Sequence, residues 1–126
     1  MKNLSILLVL LFLCGCGGDH VQVTGTVKFA DGSPLTLGTV KFIGDMTQAT
    51  GKIKDGTYVL GELKPGDGIK PGQYKVVVAG ASTGGGTSGT PVIYLIDRKF
   101  EEASTSGLTC EVKGRMKYDI KVEPPK

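Results

Sequence analysis

A chain of 126 residues with 15 Lys and Arg against 12 Asp and Glu carries a formal charge of +3, and its lysines are interleaved with acids along the chain. That pattern argues against a nucleic-acid binder. Glycine occupies 20 positions and tryptophan none; glycine so far above its usual ~7%, between short Val/Ile/Tyr runs, predicts strands joined by tight turns.

The chain opens with Lys2 and an almost unbroken apolar run over residues 4–13, LSILLVLLFL. As a helix such a run reaches about 15 Å, half of a ~30 Å hydrocarbon core, so it has the length of an export signal rather than of a membrane span. It ends in Leu13-Cys14-Gly15-Cys16, which resembles the bacterial lipobox: an aliphatic residue, two small ones, then the cysteine that is alkylated by diacylglycerol. Small side chains before the cut suit the protease, and Cys14 is the poorer substrate because bulky Leu13 precedes it. An ordinary secretory peptide cut near Gly15 or Gly18, or an uncleaved single-span anchor, are the alternatives.

The expected layout is therefore a signal peptide over residues 1–15, a lipidated tether over 16–20 with the acyl chains on Cys16, one domain over 21–123 and a tail over 124–126. Removal of residues 1–15 leaves 111, near +2 in charge and long enough for one hydrophobic core. Several acyl chains hold a protein durably where one does not. Gly17, and not Asp, follows Cys16; by resemblance to the best-known sorting system, that implies delivery to the outer membrane. Cleavage discards Cys14 and acylation consumes Cys16, leaving Cys110 as the one thiol and no intramolecular disulfide.

From Val21 the pattern alternates, with Val21, Val23, Gly25, Val27 and Phe29 on one face, which predicts a half-buried strand. Asp31-Gly32-Ser33-Pro34 turns the chain, and residues 38–43 form a second strand with Val40 and Phe42 paired. Strands over 48–54 and 57–60 flank Asp55-Gly56, a signal for a primed hairpin turn. A Gly/Pro-rich loop over 64–72 leads into a strand over 73–79 that turns Tyr74, Val76 and Val78 to one face. Residues 80–90 are a small-residue loop, 91–96 an apolar strand-like run and 100–107 a polar, irregular stretch. Residues 108–113 and 117–123 alternate cleanly and predict a C-terminal hairpin. A three-residue loop, Gly114-Arg115-Met116, would align Val112 with Tyr118, Cys110 with Ile120 and Leu108 with Val122, and would set Glu111 opposite Asp119. About seven short strands and no amphipathic helix read as an all-β sandwich.

Gly56-Thr57-Tyr58 and Pro71-Gly72-Gln73-Tyr74-Lys75-Val76 resemble the core of carboxypeptidase-regulatory-like, or transthyretin-like, domains, in which a Pro-Gly turn launches a strand with a core aromatic. Ile96-Asp97-Arg98-Lys99-Phe100 and Thr105-Ser106-Gly107-Leu108-Thr109, with the opening Val-Thr-Gly-Thr-Val strand, are similar to short bacterial envelope lipoproteins. The resemblance spans nearly the whole exported chain. It implies a transthyretin-like Greek-key sandwich and says little about activity.

Hydrolases occur on transthyretin-like folds, but His20 is the only histidine and sits in the tether, so no Ser-His-acid or Cys-His arrangement can be assembled. Residues 84–89 fit G-x-G-x-x-G, yet Pro91 and an apolar run follow where a phosphate-binding helix would be needed. Asp31, Asp45, Asp55 and Asp67 are isolated, and three precede glycine, so turn formation accounts for those three without calcium. Tyr58, Tyr74 and Tyr118 alternate into the expected core, which leaves Tyr94 and Phe100 as the candidate ligand contacts. Cys110 alternates with Leu108 and Val112 and reads as a small buried hydrophobe. The expectation is a non-catalytic envelope lipoprotein, anchored to the membrane through Cys16, whose sandwich is a structural or protein-interaction module without cofactor, metal or nucleic acid. A ligand-binding module, with carbohydrate as the ligand, is the alternative; a hydrolase is the third.

Overall fold

A computed structural model describes residues 20–62, 66–84 and 89–125. The expected export signal, Cys16 and residues 85–88 of the glycine-rich loop lie outside the described residues. The protein is an all-β sandwich of two main sheets. Of the ten strands among these residues, seven have three or more residues.

The first sheet is centred on β1, Val23–Phe29, which buries Val23, Gly25 and Val27 as the alternation predicts. The second is antiparallel and follows the order β3-β2-β5-β8. In it β2 (Thr39–Ile43) turns Val40 and Phe42 inward, and β3 (Gln48–Lys52) turns Ala49 and Gly51 inward. Next in the chain, β4 (Thr57–Val59) pairs with β1, and β5 (Gly72–Ala79) pairs with β2. A ribbon of β6 (Ser82–Thr83) and β7 (Ile93–Tyr94) stands apart. Phe42 lies at the centre of the core, its ring 6.0 Å from that of Tyr74 and 5.8 Å edge-on from that of Tyr118.

Asp55-Gly56 makes the primed turn, with φ of 54° and 81°, and Lys54 and Thr57 exchange both backbone hydrogen bonds across it. Thr50 and Gly61 exchange a second pair. Yet β3 and β4 belong to different sheets, so this hairpin ties the two layers together along one side.

The C-terminal hairpin does not form. β8 (Leu108–Val112) pairs with β5, opposing Cys110 to Tyr74. β9 (Met116–Lys117) and β10 (Ile120–Val122) run parallel to β1 instead. The inward faces are as expected, since Cys110, Val112, Ile120 and Val122 are all buried. What differs is the partner. Pairing the two segments with each other would leave one edge of β1 and one of β5 without backbone partners; crossing between sheets satisfies both. Glu111 and Asp119 are thereby placed in different sheets, and Asp119 Oδ1 accepts from Thr26 N at 3.1 Å and Thr26 Oγ1 at 3.0 Å. That carboxylate patches the ladder where β9 gives way to β10.

Within the apolar run 91–96 only β7 is strand; Val92 and Ile93 are 47% and 56% exposed, whereas Ile96 is buried in the core. The polar stretch after them is more regular than its composition suggests. A 3-10 turn, Arg98–Glu101, is capped by Asp97 Oδ1, which accepts from Lys99 N at 2.9 Å. A helical turn, α1 (Ala103–Ser106), follows and closes on Gly107 at φ 72°. This strap packs against β5, with Ser106 Oγ donating to Val76 O at 2.6 Å.

Burial raises the phenols of Tyr58, Tyr74 and Tyr118 and the thiol of Cys110 above their ordinary values. The folded state therefore holds these protons more tightly than the unfolded chain does. Their contribution to stability is complete below the ordinary values and falls away as pH rises past 9.0 for the thiol and 10.0 for the phenols. The thermal midpoint should drop above pH ~10, and Tyr58→Phe should blunt that drop. An alkaline limb of equal steepness in the variant would remove Tyr58 from this account.

Candidate functional site

Of the two candidate ligand contacts, Phe100 is a core residue and not an exposed ring. The Asp97 cap winds the 3-10 turn so that Phe100 points inward, where it is 3% exposed. Lys99 Nζ stands 5.2 Å from its centroid and pairs with Glu123 Oε1 at 3.0 Å. Tyr94 is half-buried on β7, and the Arg98 guanidinium covers one of its faces at 4.6 Å. The two residues therefore do not form an aromatic platform.

The polar groups with chemical potential are dispersed. His20 Nε2 lies 3.1 Å from Glu62 Oε1, and the Lys70 amide donates to Glu62 Oε2 at 3.2 Å. Burial works to raise the Glu62 carboxyl, but hydrogen bonds from Lys70, His20 and Thr47 prevail and hold it below its usual range. Asp31 accepts from Ser33 Oγ and Ser33 N, as a turn aspartate does, and Asp67 accepts from Glu62 N. Among the described residues no three His, Cys, Asp or Glu side chains converge on a metal position. The Cys110 thiol is buried, 3.9 Å from Met116 Sδ. Burial disfavours the thiolate that a nucleophile would need.

What the fold does assemble is an outer sheet face and a cleft beside it. A cleft of about 560 Å³ runs along the β3–β4 hairpin and is lined by Thr39, Thr50, Lys52, Lys54, Thr57 and Val59, with Glu62 at one end. Gly51 permits it. A Cβ there would stand 2.5 Å from Val59 O, so the two strands cross closely at this glycine, and the side chains flanking it splay outward.

Register then fixes the neighbours on the outward face. Thr39 lies between Lys52 and Ala79, Lys41 between Thr50 and Val77, and Ile43 between Gln48 and Lys75, which itself faces Thr109. Lys54, Lys52, Lys41 and Lys75 thus descend diagonally across three strands, in steps of about 7 Å between neighbours. Among the described residues, none of the four lysines has an ion-pair partner. Glu111 stands one diagonal step beyond Lys75, and Asp55 at the hairpin tip beyond Lys54. Glu62, the acid that lines the cleft, is already held by His20 and Lys70.

Strand alternation alone turns Lys41, Lys52, Lys54 and Lys75 outward. Placing them side by side requires the β2–β3 and β2–β5 registers. The arrangement presents cations and hydroxyls side by side, a chemistry that suits contact with anionic groups. No protein-family model matches the chain. No curated protein matches it either.

Proposed function

We propose that this chain is a lipid-anchored, non-catalytic component of the bacterial envelope whose sandwich acts as a structural or interaction module. The observation that carries the reading is Leu13-Cys14-Gly15-Cys16 at the end of a short apolar run. It is supported by how soon the domain begins. His20 already engages Glu62, and Val21 exchanges backbone hydrogen bonds with Ile69. Three residues separate Cys16 from His20; fully extended, the four steps between them reach about 14 Å, which would hold the domain close to the membrane surface. Kinship with transthyretin-like envelope lipoproteins, and delivery to the outer membrane in view of Gly17, belong to the same proposal; an all-β sandwich is compatible with both. The non-catalytic part is supported by the engagement of His20 with Glu62 and the burial of Cys110.

Alkylation of the cysteine precedes cleavage, so Cys16→Ser should abolish acylation and signal removal together. Intact mass of the membrane fraction checks this: the wild type should carry acyl mass on a chain that starts at Cys16, and the variant should retain its leader. Acyl mass persisting in the variant would refute the anchor.

A further inference from the structure

We propose that the outward face of the β3-β2-β5-β8 sheet binds a linear acidic polysaccharide along the diagonal of Lys54, Lys52, Lys41 and Lys75. The inference rests on the interaction-module reading and names its ligand class. Charge complementarity carries it. Four lysines far apart in the sequence meet on one face, none with an ion-pair partner among the described residues. Lys52, Lys54 and Lys75 are exposed and Lys41 is half-buried. Their regular step of about 7 Å makes a continuous line of cations on long, flexible side chains that a polyanionic chain can follow. Threonines flank them, with Thr39 beside Lys52, Thr50 beside Lys41 and Thr109 beside Lys75, and hydroxyls of this kind exchange hydrogen bonds with sugar hydroxyls. Lys52 and Lys54 also line the cleft, so the diagonal leads into a concave end that a chain can enter.

The surroundings separate this occupant from others. β2 and β5 are hydrogen-bonded on both edges, so a peptide could add to the ladder only outside β3 or β8, and across the face itself side chains alone must do the recognising. The tether joins the domain at Val21–Ile69, near the start of β5. The diagonal climbs from Lys75, near that end, to Lys54 at the far hairpin tip. With the tether end toward the membrane, the face stands up from it rather than lying flat upon it.

The test uses the full chain in non-ionic detergent micelles, with polygalacturonate as the probe, neutral dextran as its control, and a parallel sample in micelles doped with phosphatidylglycerol. Lysine acylation read by mass spectrometry should show Lys41, Lys52, Lys54 and Lys75 protected by polygalacturonate while Lys121, on β10, stays reactive. The double variant Lys41→Gln/Lys52→Gln should weaken polygalacturonate roughly tenfold, as expected for two partly exposed charge-assisted contacts. Lys28→Gln/Lys121→Gln, which alters the other sheet, should change it less than about twofold. Protection of all lysines alike, no protection, equal binding of dextran, or protection by phosphatidylglycerol in place of the polyuronate would each overturn the proposal. Because the chain is held in micelles, polyuronate binding is read independently of acylation. An unacylated Cys16 would remove the anchor and leave this result standing.

Discussion

Gly25→Ala is expected to cost about 3 kcal/mol or more of folding free energy, and Gly25→Val to prevent folding. Gly25 lies in β1 directly opposite Tyr58. The Tyr58 hydroxyl crosses over it to donate to the Tyr118 carbonyl at 2.5 Å. A Cβ on Gly25 would overlap that same carbonyl oxygen and stand 2.7 Å from the Tyr58 hydroxyl. One of the two obstacles is backbone, so relief requires β9 and β10 to move off β1, and the Tyr58 bond is lost with them. Gly32→Ala serves as the comparison. Nothing lies within 4 Å of its Cβ, and only the φ of 91° opposes substitution, so the cost should be about 1 kcal/mol. Urea denaturation of both variants measures the contrast. A Gly25→Ala protein as stable as the Gly32→Ala one would show that the β1–Tyr58–Tyr118 contact is not the constraint described.

Phe100→Ala should cost about 3–5 kcal/mol, whereas Tyr94→Ala should cost about 1 kcal/mol or less. Phe100 is the strap's deepest residue at 3% exposure and belongs to the same core cluster as Phe42 and Val76. Its removal leaves a cavity beneath a segment held by the Asp97 cap and the Ser106–Val76 hydrogen bond. Tyr94 gives up chiefly a stacked Arg98. The melting temperatures of the two variants decide the matter. If Phe100→Ala melted with the wild type while saccharide binding fell, Phe100 would be a surface contact after all.

Much of this protein can be read locally. The inward faces of β1, β2, β5, β8 and β10 follow from alternation, because a strand's side chains change sides with every residue and one side is largely polar here; Val77 of β5, buried on the other side at 2% exposure, is the exception. The Asp55-Gly56 turn follows from the positive φ that these residues tolerate. The burial of Tyr58, Tyr74 and Cys110 follows from their place in those patterns. Alternation says which side is buried and nothing about which strand lies alongside. Only the tertiary structure therefore decided that β8 joins β5 while β9 and β10 join β1, since the choice depends on which edges elsewhere still lack partners. It also decided that Phe100 packs inward from a polar stretch and that Val92 and Ile93 stay exposed in an apolar one, because a two-residue ribbon and a capped turn set those directions. The lysine diagonal has the same origin. Lysines interleaved with acids along the chain look neutral locally, and only antiparallel register brings positions 41, 52, 54 and 75 onto one face and leaves most of the acids elsewhere.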